Sequence, residues 1–290
     1  MNERFQSIIK LSNVAVITGG ASGIGLAAAH AFARQGMSIC IADQNSERLE
    51  LAEQSLRKLP GQSAESVMTA QLDVTNYSEV EALRAAAFER FGHVDLLMNN
   101  AGIASPSHSW RDLEQWNRLL QVNMFGVIHG MQAFTQSMID QRRPSMIINT
   151  GSKQGITNPP GSPAYNVSKA AVKAITENLA QSLRSEPECQ VSAHLLVPGF
   201  VYTEMIKAFL PEKPPFAWTA EQTVAYMLDA LEREEFYIIC PDGEVTEEMD
   251  RKRMYWSALD AVKRRPALSR WHDDYTEEFS AFMARDLPDS

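Results

Sequence analysis

VAVITGGASGIGLAAAHAFARQG, residues 14–36, is the stretch on which the fold turns. Its first five residues, Val14 to Thr18, are apolar or β-branched without alternation, the pattern of a strand buried on both faces. Gly19, Gly20, Gly23 and Gly25 then crowd a short turn, and the alanine-rich run that follows has the composition of a helix. Strand, glycine turn and helix, in that order, suit a site for a dinucleotide. Glycines let the backbone approach a pyrophosphate, and the free N–H groups at the helix start stabilise its charge. A purely structural tight turn has the same composition, so this stretch needs support from elsewhere.

Working outward, six more short apolar runs recur: SICIA (38–42), VMTAQL (67–72), VDLLM (94–98), SMIINT (145–150), VSAHLL (191–196) and FYIIC (236–240). Segments 45–58, 76–90, 112–140, 162–185 and 220–234 between them have helical length and spaced apolar positions. This alternation predicts an α/β fold with a doubly wound, parallel, seven-stranded sheet. No Pro/Gly/Ser linker divides it and PEKPP (211–215) reads as a loop, so residues 1–241 are expected to form a single domain. Residues 242–290 read as a helical extension of that domain, with helices near 246–264 and 269–285. The basic clusters Arg251-Lys252-Arg253 and Lys263-Arg264-Arg265 are expected on solvated helix faces.

Bulk properties exclude several classes. The chain has 290 residues, 44% hydrophobic and 22% charged, which is ordinary globular composition. A net charge of −9 repels polyanions, so no nucleic-acid partner is expected. The opening MNERFQSIIKLSNV lacks an apolar leader, and nowhere do ~18 apolar residues run together; no membrane partner is expected and the protein is read as cytoplasmic. Cys40, Cys189 and Cys240 are odd in number and widely spaced, and the six histidines show no ligand pairing, so no metal is expected.

Asp43 follows the second strand, some twenty residues beyond the glycines, where a carboxylate can bind adenosine ribose hydroxyls and repel a 2′-phosphate. It can equally cap the helix over 45–58. Tyr165 and Lys169 stand four apart, on one face of the helix over 162–185. A nearby cation lowers a phenol's pKa, which would let the pair exchange protons at working pH, although such a spacing is common on helix surfaces.

Together these residues resemble the short-chain dehydrogenase/reductase family, in its standard NAD(P)-binding, Rossmann-fold branch. The resemblance rests on the turn at 18–25, Asn99-Asn100-Ala101-Gly102, Asn123, Ser152, Tyr165, Lys169 and Pro198-Gly199, in the family's order, and covers about residues 10–241. It implies that Tyr165 is the general acid/base and that Ser152 holds the substrate oxygen. Lys169 would bind the nicotinamide ribose and depress the Tyr165 pKa, and Asn123 would order a water between Lys169 and solvent. The implied cofactor contacts are Gly19, Ser22, Gly23, Ile24, Gly25, Asp43, Asp73, Val74, Asn100, Ala101, Gly102, Tyr165, Lys169, Pro198, Val201 and Thr203.

The cofactor is expected to be NAD, because Asp43 opposes a 2′-phosphate and no cation stands at Ser22 or Gln44. The expected partner is a small-molecule secondary alcohol or ketone, and the resemblance favours a homo-oligomer, dimer or tetramer. Two departures stand out. The stretch before Tyr165 reads Asn149-Thr150-Gly151-Ser152-Lys153 where relatives often carry two serines. Pro241-Asp242-Gly243 and the helical tail replace the usual glycine-rich finish. Between Pro198 and Trp218, Phe200, Tyr202, Met205, Ile206, Phe209, Leu210, Phe216 and Trp218 suit either a lid over a bulky apolar or aromatic substrate or simple packing of that segment. An NADPH-linked carbonyl reductase and a non-catalytic dinucleotide sensor remain as alternatives.

Overall fold

The computed structural model describes residues 2–207 and 210–287; Phe209 and the last three residues of the tail lie outside them. The elements run α1 (Glu3–Ile8), β1 (Val14–Thr18), α2 (Gly23–Arg34), β2 (Ser38–Asp43), α3 (Ser46–Arg57), β3 (Val67–Gln71), α4 (Tyr77–Phe91), β4 (Leu96–Asn99), α5 (Leu113–Leu120), α6 (Gly126–Asp140), β5 (Ser145–Thr150), α7 (Gln154–Thr157), α8 (Pro163–Ser185), β6 (Val191–Val197), α9 (Glu204–Lys207), α10 (Ala220–Glu232), β7 (Tyr237–Ile239), α11 (Glu247–Lys263) and α12 (Thr276–Met283).

The seven strands form one sheet in the order β3-β2-β1-β4-β5-β6-β7, every neighbouring pair parallel. This is the doubly wound Rossmann-type sheet that the alternation predicts. The inner strands are largely buried because helices cover both faces, and the pleat sorts their side chains. Ala15, Ile17, Ile39, Ile41, Leu96 and Met98 join the core under α2, α3 and α10. Val16, Cys40, Ala42, Leu97 and Ile147 join the core under α4, α6 and α8. The chain reverses winding direction between β1 and β4, and the carboxyl ends of those strands open a crevice where this class of sheet takes its ligand.

Four sequence expectations need correction. The helix expected over 112–140 is two helices, α5 and α6, joined by a π-helical turn over Gln121–Phe125 that contains the buried Asn123. The tail segment 269–285 is two short 3₁₀ turns, Ser269–Trp271 and Asp273–Tyr275, followed by α12. The basic clusters are not wholly solvated. Buried Lys252 donates to the Met283 carbonyl at 3.0 Å, and the Arg265 guanidinium lies 4.1 Å over the Trp256 ring, because the tail builds its own small core around that tryptophan. The helix-capping role weighed for Asp43 falls to Asn45, whose side chain accepts from Arg48 N.

Candidate active site

The turn between β1 and α2 shows why glycine is required there. Gly19 and Gly23 adopt φ of +63° and +54°, which L side chains rarely adopt. A Cβ on Gly19 would lie 2.8 Å from Ala101 Cα, and one on Gly25 would strike Gly19 O. The NNAG stretch is therefore built against the turn. Asn100 Nδ2 donates to Thr18 O and Gly19 O, each at 3.2 Å, while Thr18 Oγ1 accepts from Asn100 N and Ala101 N. Ser22 precedes α2 in extended conformation with no side-chain cap, whereas α3, α4, α10 and α11 are all capped by their own Asn or Thr. The first-turn amides of α2, at Gly23, Ile24 and Gly25, thus lie in a cradle that no side chain caps. A pyrophosphate fits such a cradle.

Asp43 ends β2 beside this turn. One carboxylate oxygen accepts from Ala21 N at 3.3 Å and the other from Asn45 N at 3.1 Å, which aims the group along the carboxyl edge of the sheet. Exposed Asp73 accepts from Thr75 N, and buried Val74 packs against Gly126. Both lie beyond β3, on the same side as Asp43.

The proposed chemistry gathers at the ends of β4 and β5. α8 carries Tyr165 and Lys169 one turn apart, with the Lys169 ammonium 5.8 Å from the Tyr165 ring centroid. The Ser152 hydroxyl, on the loop after β5, lies near enough to the Tyr165 phenol to act on its acidity. Asn123 is fully buried. Its Oδ1 accepts from Ile103 N at 2.8 Å, and its Nδ2 donates to Ile103 O at 2.9 Å and Ser168 Oγ at 3.1 Å. A Cβ on Gly102 would fall 3.4 Å from Asn123 Oδ1 and 3.7 Å from Lys169 Nζ, so Gly102 leaves open the narrow space between those groups.

Burial sets the acidities here. It pulls the Lys169 ammonium down to about 8, and that group donates to Thr150 O at 2.8 Å. It pushes the Tyr165 phenol above its ordinary value, with the hydrogen bond to Ser152 acting in the opposite direction. The depressed Tyr165 pKa implied by the resemblance is therefore not what the protein's own groups produce, because desolvation of the phenolate outweighs that hydrogen bond.

The loop after β6 closes the cradle. Thr203 Cγ2 approaches the Cβ position of Gly23 at 3.2 Å, and Val201 pairs with Trp218 in an isolated parallel bridge. Trp218 packs against Tyr226 and the core under α10, so it holds the segment in place. Phe200 and Phe216 lie with ring centroids 5.5 Å apart, and Phe216 is largely exposed.

A family model for the short chain dehydrogenases matches residues 13–214. The chain belongs to this family. It is 33% identical over 193 residues to a CLA biosynthesis dehydrogenase/reductase of Lactiplantibacillus plantarum, covering 66% of each protein. It is 31% identical over 233 residues to the 1-deoxy-11-beta-hydroxypentalenate dehydrogenase of Streptomyces exfoliatus, covering 78% of this chain and 82% of that one. Among solved structures, a short chain dehydrogenase/reductase of Burkholderia phymatum in complex with NAD superposes with a TM-score of 0.80 at 29% identity, over 90% of this chain and 97% of the other. As a short-chain dehydrogenase the protein is an oxidoreductase of a family that binds a nicotinamide dinucleotide, and the glycine cradle and uncapped α2 are consistent with that group.

Some residues that shape this site carry no sequence signal of their own. Gly155 leaves no room for a Cβ against the Lys169 backbone, which lets α7 close onto α8 and sets the distance between the Ser152 loop and Tyr165. Thr18 braces the NNAG loop through its hydroxyl. A glycine in a loop reads as ordinary until the partner elements are placed, and Thr18, legible as the start of the glycine turn, gives no sign in sequence of its bonds to Asn100 N and Ala101 N.

Proposed function

We propose that this short-chain dehydrogenase interconverts a secondary alcohol and a ketone using NAD, with Tyr165 as general acid/base, Ser152 as substrate-oxygen anchor, and Lys169 and Asn123 as supporting groups. The observation that carries the reading is the convergence of the Tyr165 phenol with the Ser152 hydroxyl above a buried Lys169. When bound, the nicotinamide ring accepts or supplies the hydride. In the oxidation direction Tyr165, as phenolate, takes the proton of the substrate hydroxyl while the Ser152 hydroxyl donates to the same oxygen. In reduction Tyr165 returns the proton as negative charge grows on that oxygen.

Lys169 would hold the nicotinamide ribose and, when charged, would offset part of the desolvation that raises the Tyr165 pKa; burial lowers its own pKa to about 8. Asn123 would order the water that joins Lys169 to solvent. The phosphates would rest on Gly19, Ser22, Gly23, Ile24 and Gly25. The adenosine would rest against Asp43, Asp73, Val74, Asn100, Ala101 and Gly102, and the carboxamide against Pro198, Val201 and Thr203.

NAD is favoured because the Asp43 carboxylate would oppose a 2′-phosphate by ~1–4 kcal/mol at about 4 Å. The Phe200 and Phe216 pair beside the site suits a bulky apolar substrate, and a related chain is named as a hydroxypentalenate dehydrogenase. A panel of secondary alcohols and ketones, followed at the nicotinamide absorbance with both cofactors, tests the proposal. Turnover with a higher kcat/KM for NAD is expected. Tight NAD binding without turnover of any compound would overturn it in favour of a non-catalytic sensor.

A further inference from the structure

Directly after Ser152 stands Lys153, whose side chain is only 16% exposed and turns into a buried cluster of charge. Its Nζ lies 2.5 Å from Asp250 Oδ2 and 3.5 Å from Asp242 Oδ2. The three residues come from separate parts of the chain: the loop after β5, the turn after β7, and the first turn of α11. Asp242 holds a further element. The same oxygen accepts from Phe200 N at 2.7 Å, and its carboxylate fills the space a Cβ would need on Gly199, so the loop after β6 is moulded around it. Lys153 also meets that loop through its own backbone, donating from N to Pro198 O at 3.3 Å.

We propose that Lys153 is a positioning residue: clamped by Asp242 and Asp250, it fixes the Ser152 loop and the 198–203 loop to each other and to α11, so that the C-terminal helix takes part in setting catalytic geometry. The inference rests on the functional reading above. Both loops carry groups that this reading places on the reacting end, Ser152 on one and Val201 and Thr203 on the other. The cluster is desolvated and holds one ammonium between two carboxylates; replacing Asp250 takes away the nearest partner of the ammonium, and replacing Lys153 leaves two carboxylates facing each other, so in either case the loops must move to adjust. Arg253 and Arg270 also face Asp250 and act on it electrostatically. Ser152 needs only a small displacement to matter, since misplacing a reacting group by about 1 Å can cost about a hundredfold in rate.

The test uses the full chain carrying Asp250→Asn, with Lys153→Gln as a second variant should the first fail to fold, and Glu247→Gln on the exposed side of the same helical turn as control. Hydrogen exchange is followed over 150–158, 197–204 and 14–25, alongside kcat and the KM for NAD. Both test variants should exchange faster in the first two segments and not the third, with kcat lowered by about ten- to a hundredfold and the KM for NAD changed by less than about threefold. The control should match the wild type. Unchanged exchange in both loops overturns the proposal. So does faster exchange with unchanged kcat, which would make the cluster a local staple, and so does uniformly faster exchange, which would make it a general stabiliser. If the wild type turns over nothing, the functional reading fails by itself, while exchange in the two loops still decides whether the clamp exists.

Discussion

Tyr165 and Lys169 owe their chemistry to burial before they owe it to each other. Each loses hydration at the end of β5, which disfavours the charged form of both, lowering the Lys169 pKa and raising that of Tyr165. Replacing Tyr165 by Phe should remove the proton donor and little cofactor contact, so kcat should fall by at least about 10²-fold while NAD binding in a titration stays nearly intact. Lys169 adds a stability signature. Its folded pKa lies near 8, below the unfolded value, so between about 8 and 10.5 the unfolded chain binds the extra proton and stability rises with pH. The rise is at most about 3 kcal/mol and should be missing from Lys169→Met, as read by urea unfolding at pH 7 and pH 10. At the other end, the proposed reading gives cofactor choice to Asp43. Asp43→Ala with Gln44→Arg removes the repulsion and supplies a phosphate partner, so the ratio of kcat/KM for NADP to that for NAD should rise by about tenfold or more.

Elements show where local pattern suffices and where it fails. Each of the seven strands was readable to within two residues: the inner ones are buried on both faces, where packing forces a continuous apolar run, and the edge strands β3 and β7 keep a short run of β-branched or apolar residues although they are only partly buried. Helix α8 and the uncapped α2 were equally plain. The break at Gln121–Phe125 was not, since a π turn keeps helical periodicity on either side and its cause, the hydrogen bonds of buried Asn123 to Ile103 and Ser168, lies far away in sequence. The same holds for α1, which docks by Arg4 donating to Gln190 O at 2.6 Å. Of the site, the motif residues were legible because the glycine turn and the Tyr165/Lys169 spacing are local. Lys153 read as one unremarkable lysine because its partners are 89 and 97 residues onward. Gly155 is the testable case among elements. Gly155→Ala inserts a methyl group against the Lys169 backbone, so α7 must lift from α8. It should lower unfolding stability by about 1–3 kcal/mol and reduce kcat more than it weakens NAD binding.

Across the whole molecule, the proposed reading sets two tasks along one crevice. The glycine cradle and Asp43 stand at the ends of β1 and β2, towards the β3 edge, while Ser152, Pro198 and Asp242 stand at the ends of β5, β6 and β7, towards the opposite edge. Among the described residues, the C-terminal helices make their main attachment at that second edge. There α11 packs on α7 and clamps Lys153, and the tail's inner core forms where Trp256 is sealed by Phe279, Phe282 and Arg265. Position therefore decides what loss of the tail can reach. A chain ending at Val245 keeps Asp242 and its bond to Phe200 N but loses Asp250 and the cover over α7. The residues proposed to hold the adenosine and phosphates lie towards the β3 edge, so NAD affinity by titration should stay within about threefold of the full chain. At the other edge Ser152 loses its anchor, and kcat on secondary alcohols should fall by about tenfold or more, with relaxed discrimination between bulky and small substrates. Equal losses in affinity and kcat would mean that the tail supports the fold as a whole and not one edge of it.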